Sequence, residues 1–287
     1  MKYAISAATG HLGQLVIQHL LKLVPATDVV AIVRNPDKAK QVLPADIEIR
    51  QADYTDVTAL TNALAHVDRL LFISSIPGTA TPRQVQHQNV VQAAQAANVH
   101  YIAYTSFAKA ETAQSPLSAD HIATEKMIKA SGIAYSFLRN AWYLENESSY
   151  LKAALAGEDA VYAAGDGQMS FALEREYGEA AAKVLASSTT KAIYEFGGQP
   201  SSYADLQTAL HQVLDTDFQF KAVSDDDYRQ TMLSAGLDAQ FVEVLLAMQV
   251  MMRHNELNVP TTDLADVLGR PVTSLVDAVK EVLNTLN

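Results

Sequence analysis

The stretch Tyr3-Ala-Ile-Ser-Ala-Ala-Thr-Gly-His-Leu-Gly13, running into Gln-Leu-Val-Ile-Gln-His-Leu-Leu, constrains the fold of this chain more than any other. Tyr3 to Ile5 form a short apolar run that reads as a buried strand. A turn of small residues follows, and then Leu12, Val16, Leu20 and Leu23 recur at helical spacing. Strand, tight turn and helix open a βαβ unit of the dinucleotide-binding kind. The N–H groups and dipole at such a helix N-terminus receive a pyrophosphate. Gly10 and Gly13 fall where the backbone must approach phosphates and where helix must pack closely on strand. The candidate cofactor positions of the turn are therefore Ala8, Thr9, Gly10, His11, Leu12 and Gly13. The first glycine of the usual spacing is replaced by Ala7. A positive φ there would cost an alanine about 1 kcal/mol.

The 287 residues suffice for one large α/β domain or a main domain with a smaller one appended. A hydrophobic fraction of 49% with 18% charged residues describes an ordinary globular chain. The net charge of −11, without any Lys- or Arg-rich run, argues against a nucleic-acid surface. The absence of cysteine removes disulfides, thiolate metal sites and Cys nucleophiles together. Lys2 and the apolar start raise the question of a signal peptide, against which the Gly10-His-Leu-Gly-Gln interruption speaks. No apolar run approaches membrane-spanning length, and a cytoplasmic protein is expected.

Strand-like runs recur along the first half. Val29 to Val33 is a β-branched run ending in Arg34-Asn-Pro-Asp-Lys38. Arg34 stands 21 residues after Gly13, where an acid would meet the ribose 2′-hydroxyl of NAD. An arginine there would instead pair with the 2′-phosphate of NADP, supported by Lys38, or it is a solvated turn residue. Ile47 to Tyr54 reads as a third strand, and Asp53 as either an adenine partner or a cap for the helix beginning near Asp56. Asp68 to Pro77 is a fourth strand whose end places Ser74 and Ser75 against a cofactor. Thr79 to Arg83 reads as a loop before a helix carrying Asn89 to Ala97. His100 to Ser106 and Ile133 to Leu138 are the fifth and sixth strands, separated by a loop over Ala108 to Ser118 and a helix over His121 to Lys129. The alternation predicts a Rossmann-type, doubly wound parallel sheet over residues 1–143. Residues 144–287 read as a smaller mixed domain, partly interleaved with the sheet, that lids the cofactor.

The chemistry is bounded by what is missing. No lysine follows a tyrosine by four residues, so the Tyr–Lys pair of ordinary short-chain dehydrogenases is absent. No nucleophile elbow and no P-loop occurs. His121 and Glu125 lie one helical turn apart as an acid–base pair or half a metal site. No third ligand declares itself, so no metal is expected. His121 is the one candidate proton donor, with a solvated histidine as the plainer reading; Glu125 beside Lys126 reads as a solvated face. Phe107, Trp142, Tyr143 and Phe171 are candidates for an aromatic acceptor pocket, or for core.

Taken in order, Ser-Ala-Ala-Thr-Gly-His-Leu-Gly, Ala-Ile-Val-Arg-Asn-Pro, Ala-Asp-Tyr, Leu-Leu-Phe-Ile-Ser-Ser, Tyr-Thr-Ser, His-Ile-Ala-Thr-Glu-Lys and Leu-Arg-Asn-Ala-Trp-Tyr resemble the NmrA-like branch of the atypical short-chain dehydrogenases. They are similar in particular to its NAD(P)H:quinone oxidoreductase type 2 and triphenylmethane reductase group, over roughly residues 3–185. The resemblance implies NADP(H) on Thr9 to Gly13 and Arg34, with Ser74, Ser75 and Asn140 to Trp142 and Tyr143 around the nicotinamide. It implies hydride transfer to quinones or similar flat electron-poor compounds without flavin. The conjugate acid of a hydroquinone anion resembles a phenol, with a pKa of about 10, so the anion can take its proton from water. Members of this branch that bind the dinucleotide without turning it over act as redox sensors, the alternative reading. A nucleotide-sugar epimerase is disfavoured by the absent tyrosine. The expected partner is a small aromatic acceptor, and a homodimer is left open.

Overall fold

A computed structural model of the chain describes residues 1–77 and 80–286. In chain order the elements are β1 (Tyr3–Ile5), α1 (His11–Leu20), β2 (Val29–Val33), α2 (Pro36–Val42), β3 (Glu48–Gln51), α3 (Val57–Ala63), β4 (Arg69–Phe72), α4 (Arg83–Ala96), β5 (Tyr101–Phe107), α5 (Pro116–Ser131) and β6 (Ala134–Asn140). There follow β7 (Trp142–Tyr143), α6 (Ser148–Ala156), β8 (Ala160–Tyr162), β9 (Met169–Ala172), α7 (Glu174–Ala186), β10 (Ile193–Phe196), β11 (Pro200–Ser201), α8 (Tyr203–His211) and β12 (Phe220–Ala222). Helices α9 (Asp225–Ser234), α10 (Ala239–Arg253), α11 (Asp263–Leu268) and α12 (Leu275–Leu286) complete the described chain.

Seven strands form one sheet in the order β10-β6-β5-β4-β1-β2-β3, and every pairing in it is parallel. Alternate residues leave each strand towards opposite faces. Tyr3, Ile5, Val29, Ala31 and Val33 join one apolar cluster with α1 and α7, while Ala4, Val30 and Ile32 join another with α3, α4 and α5. Helices cover both faces, which is why the strands read as unbroken apolar runs. The order turns round between β1 and β4, so the crevice at their carboxyl ends is the switch point where ligands bind in such sheets. There the Tyr54 hydroxyl bridges Ser6 and the Ile73 carbonyl, and Ile73 N–H donates to Ser6 Oγ at 3.0 Å, tying the two strand ends together.

The later residues do not stay apart from this sheet. β10 extends its edge, and α7 lies on α1 so closely that a Cβ at Gly178 would sit 2.9 Å from Leu15 Cβ. A three-stranded sheet, β11-β9-β7, and a two-stranded one, β12-β8, build the second layer with α6, α8 and α12. Three expectations shift. Leu23 is exposed, because α1 ends at Leu20. The loop over 108–118 is shorter, because Pro116 opens α5 as a first-turn proline. Of the loop expected over Thr79 to Arg83, Thr79 lies outside the described residues, and Arg83 already opens α4.

Candidate functional site

The turn between β1 and α1 takes a left-handed backbone at Ala7, with φ of 50°. The chain is thus strained at the position where a glycine is usual. Gly13 has no room for a side chain, since a Cβ would lie 2.7 Å from the Ala7 oxygen and 2.8 Å from the Ala8 Cα. Gly10 caps α1 without a side-chain hydrogen bond, and the first turn carries no acid. Its first N–H groups have no intrahelical carbonyl and no oxygen from the cap residue, the condition for holding an anion, and the one at Leu12 faces the Glu174 carboxyl. One group that the sequence reading missed reaches this end of α1. Glu174, at the start of α7, lies 3.7 Å from His11 Nδ1. Burial, then the neighbouring Glu145, raise the Glu174 carboxyl, while His11 and the Leu12 N–H pull the other way.

Arg34 follows β2, exposed, and its side chain makes no hydrogen bond or ion pair among the described residues. Lys38 is exposed one turn further on, its N–H donating to the Asn35 side chain that caps α2. Asp53 does not cap α3, a role that Asp56 takes by accepting from the Ala59 N–H. Asp53 instead accepts from Thr55 N–H and Oγ1, at 2.8 and 2.7 Å. Burial acts against its charge, yet these bonds and Arg34 leave its carboxyl below the ordinary range.

Across the switch point, Ser74 N–H donates to Thr105 Oγ1 at 2.9 Å, and Ser75 N–H to His87 Nε2 at 3.1 Å. An acceptor Nε2 puts the ring proton on Nδ1, which faces Thr124 Oγ1 at 2.7 Å. Burial, then Arg83, lower His87 to about 3, so it is neutral. His121 is not the solvated residue that its place near a helix start suggests. It is buried, its Nε2 accepts from Arg83 Nη2 at 3.1 Å, and its Nδ1 faces the Tyr104 hydroxyl at 2.9 Å. Burial, Arg83 and His87 hold it well below the usual histidine range. With both nitrogens engaged and no charge, it does not present an acid to a ligand.

Glu125, one turn along α5, is also buried and serves another network. It takes a two-pronged bond from Arg139 at 2.9 and 2.7 Å and one from Ser106 Oγ at 2.6 Å. Arg139 also binds Glu195 at 2.9 Å and Glu111 at 3.1 Å. His121 and Glu125 thus share a face but not a function. No group of three or more candidate metal ligands exists among the described residues.

The four aromatic candidates separate. Phe107 and Phe171 are buried in one apolar cluster, with the half-buried Trp142 against it and Trp142 Nε1 donating to Glu147 at 2.7 Å. Tyr143 packs on the opposite cluster beside Tyr177, and accepts from Asn140 Nδ2 at 2.9 Å. The Asn140 Oδ1 is enclosed and has no hydrogen-bond partner among the described residues. A cleft of about 510 Å³ lies nearby at the ends of β5 and β10, lined by Lys109, Glu195, Asn255 and Thr261 but by none of the expected residues.

The left-handed turn, the α1 N-terminus and the exposed Arg34 lie together at the carboxyl edge of the sheet, within the stretch that a family model matches. A family model described as NAD(P)H-binding matches residues 7–152. The chain belongs to that family. It is 39% identical to quinone oxidoreductase 2 of Escherichia coli over 286 residues, 99% of each chain. It is 26% identical to an NmrA-like family domain-containing oxidoreductase of Aspergillus flavus, over 99% of this chain and 95% of the other. Among solved structures, an E. coli NADPH-dependent quinone oxidoreductase in complex with NADPH superposes with a TM-score of 0.92 at 39% identity, covering 98% of this chain and all of the other. The Citrobacter sp. triphenylmethane reductase in complex with NADP(H) gives 0.92 at 36% identity, with the same coverage. The resemblance read from the ordered motifs therefore holds over nearly the whole chain.

Proposed function

We propose that this protein is an NADPH-dependent reductase that transfers hydride to quinones or similar flat electron-poor compounds, without flavin. The observation that carries the cofactor is the α1 N-terminus, given no side-chain oxygen by its cap residue, beyond a left-handed turn, with Arg34 exposed and unpaired among the described residues at the end of β2. The acceptor class is supported by full-length likeness to relatives named as reductases, which also favours turnover over a sensor role.

NADPH, when bound, supplies the hydride. The backbone from Ala8 to Gly13 would hold the pyrophosphate, Arg34 with Lys38 the 2′-phosphate, and Asp53 the adenine side. Ser74 and Ser75 would wall the nicotinamide side. The unpartnered Asn140 Oδ1 fits a carboxamide N–H, since an enclosed acceptor left empty costs about 1–3 kcal/mol. Phe107, Trp142, Tyr143 and Phe171 enter as the apolar surroundings of the acceptor, whose role is to exclude water and orient a flat ring. His121 enters as a positioning residue, and the product anion takes its proton from water. In the same reading residues 1–143 carry the cofactor and residues 144–287 complete the acceptor side. The reading places the protein in the cytoplasm and leaves a homodimer open; no described helix is long and apolar enough to cross a membrane.

NADPH and NADH oxidation with a soluble benzoquinone test it. Saturable turnover favouring NADPH is expected. Arg34→Ala should raise the KM for NADPH far more than that for NADH, and equal effects would remove the phosphate-pairing role.

A further inference from the structure

Of the nine arginines, six form ion pairs with carboxylates: Arg50, Arg139, Arg175, Arg229, Arg253 and Arg270. Arg34 is exposed, and Arg69 stacks 4.0 Å over the Tyr101 ring while donating to the Ser187 carbonyl. Arg69 also has a buried Nε without a hydrogen-bond partner among the described residues, but its guanidinium is covered by a ring and bonded to a carbonyl, whereas Arg83 has neither. It is largely enclosed, its one hydrogen bond among the described residues goes to the neutral His121 ring, and its Nε is buried without a partner. Asp120, the acid whose charge it feels, accepts from Gln84 Nε2 at 3.0 Å instead. A guanidinium taken from water without a counter-charge is costly, and one with a purely structural role is ordinarily matched by a carboxylate.

Its position gives the missing partner. Arg83 opens α4 at the carboxyl edge of the sheet, past the segment that carries Ser74 and Ser75. Through His121 it is joined to Tyr104, and the His121 ring lies 6.0 Å from that of Phe107 at the end of β5. The N–H groups of the first turn of α4, capped by no side chain, add to the positive potential.

We propose that Arg83 is the group that receives negative charge on the acceptor, binding the oxygen that becomes anionic as a quinone is reduced. This rests on the reductase reading above. In that reaction the acceptor gains two electrons and one hydrogen as hydride, the nicotinamide loses them, and a hydroquinone oxygen carries the charge until water protonates it. A preorganised cation contributes most where charge develops in an enclosed site. Because Arg83 and burial keep His121 neutral, that ring accepts from the guanidinium and does not compete for the anion.

The test uses 4-nitrophenol, which absorbs in the visible as phenolate but not as phenol, added to the full chain with NADP⁺. The wild type should increase the phenolate absorbance at constant pH. Arg83→Gln should abolish that increase and lower kcat with benzoquinone on the order of 100-fold, leaving the KM for NADPH unchanged. Arg83→Lys, which keeps the charge, should retain part of both and carries the test if the glutamine variant does not fold. An active wild type without the spectral change, or a folded Arg83→Gln or Arg83→Lys protein indistinguishable from it in spectrum and kcat, would overturn the proposal. A wild type that neither binds NADP⁺ nor reduces benzoquinone would fault the reductase reading instead.

Discussion

Ala7 shows what a single residue costs. Its φ of 50° places a Cβ against the following carbonyl, a penalty of about 1–2 kcal/mol that glycine avoids. Ala7→Gly should therefore raise stability by about 1 kcal/mol, after allowing for the more flexible unfolded chain. Urea unfolding checks this; a glycine variant that is less stable would mean that the turn is not left-handed in solution. The two neutral histidines make a second prediction. His87 at about 3 and His121 well below the usual range bind protons in the unfolded chain before they do in the native one. Their contribution is complete above the unfolded value near 6.5 and is lost as pH falls towards the folded values, by about 1.4 kcal/mol per pH unit for each. Stability should fall between about pH 7 and pH 5, and less steeply in His87→Gln. Equal slopes would show that His87 is not held neutral.

Between elements, the Arg139 network ties β6 to α5 and β10. Arg139→Met would strand Glu125, which is 4% exposed, and should cost about 3–5 kcal/mol. Glu111→Gln should cost less than about 1 kcal/mol, since the Glu111 side chain is 64% exposed and screened by water. Chemical denaturation of both variants checks the contrast, and similar losses would contradict it. This network also shows where sequence reading stops. The runs that became β1, β2, β5 and β6 were legible because strands buried on both faces are apolar without interruption. The two-residue strands β7 and β11 carry no period to read. Glu125 read as solvated because Lys126 adjoins it, whereas its partner lies 14 residues away on another element. The candidate cofactor residues were legible from the turn and from the position of Arg34. Arg83 carried no local signal, because what marks it is a missing partner in space.

At the scale of the whole molecule, the boundary at residue 143 marks a change in pattern but not an independent core. The cluster on the α1 face of the sheet takes Ala172, Tyr177, Ala180, Leu185, Tyr194, Phe196, Leu264 and Leu268 from beyond it. Without them, α1 would lose α7, and β6 would become an exposed edge where β10 now pairs with it. Six large side chains at roughly 1.5–3 kcal/mol each are worth about as much as the 5–15 kcal/mol by which a domain is ordinarily stable. A fragment ending at residue 143 should therefore show no cooperative unfolding and a collapsed amide spectrum. The full chain should unfold with the two layers coupled, because α7 and β10 belong to the sheet although the chain reaches them only after building β7, β8 and β9. A fragment with dispersed resonances and a sharp thermal transition would show that the dinucleotide half folds alone. The later residues would then serve as a lid laid over a finished domain, not as one wall of it.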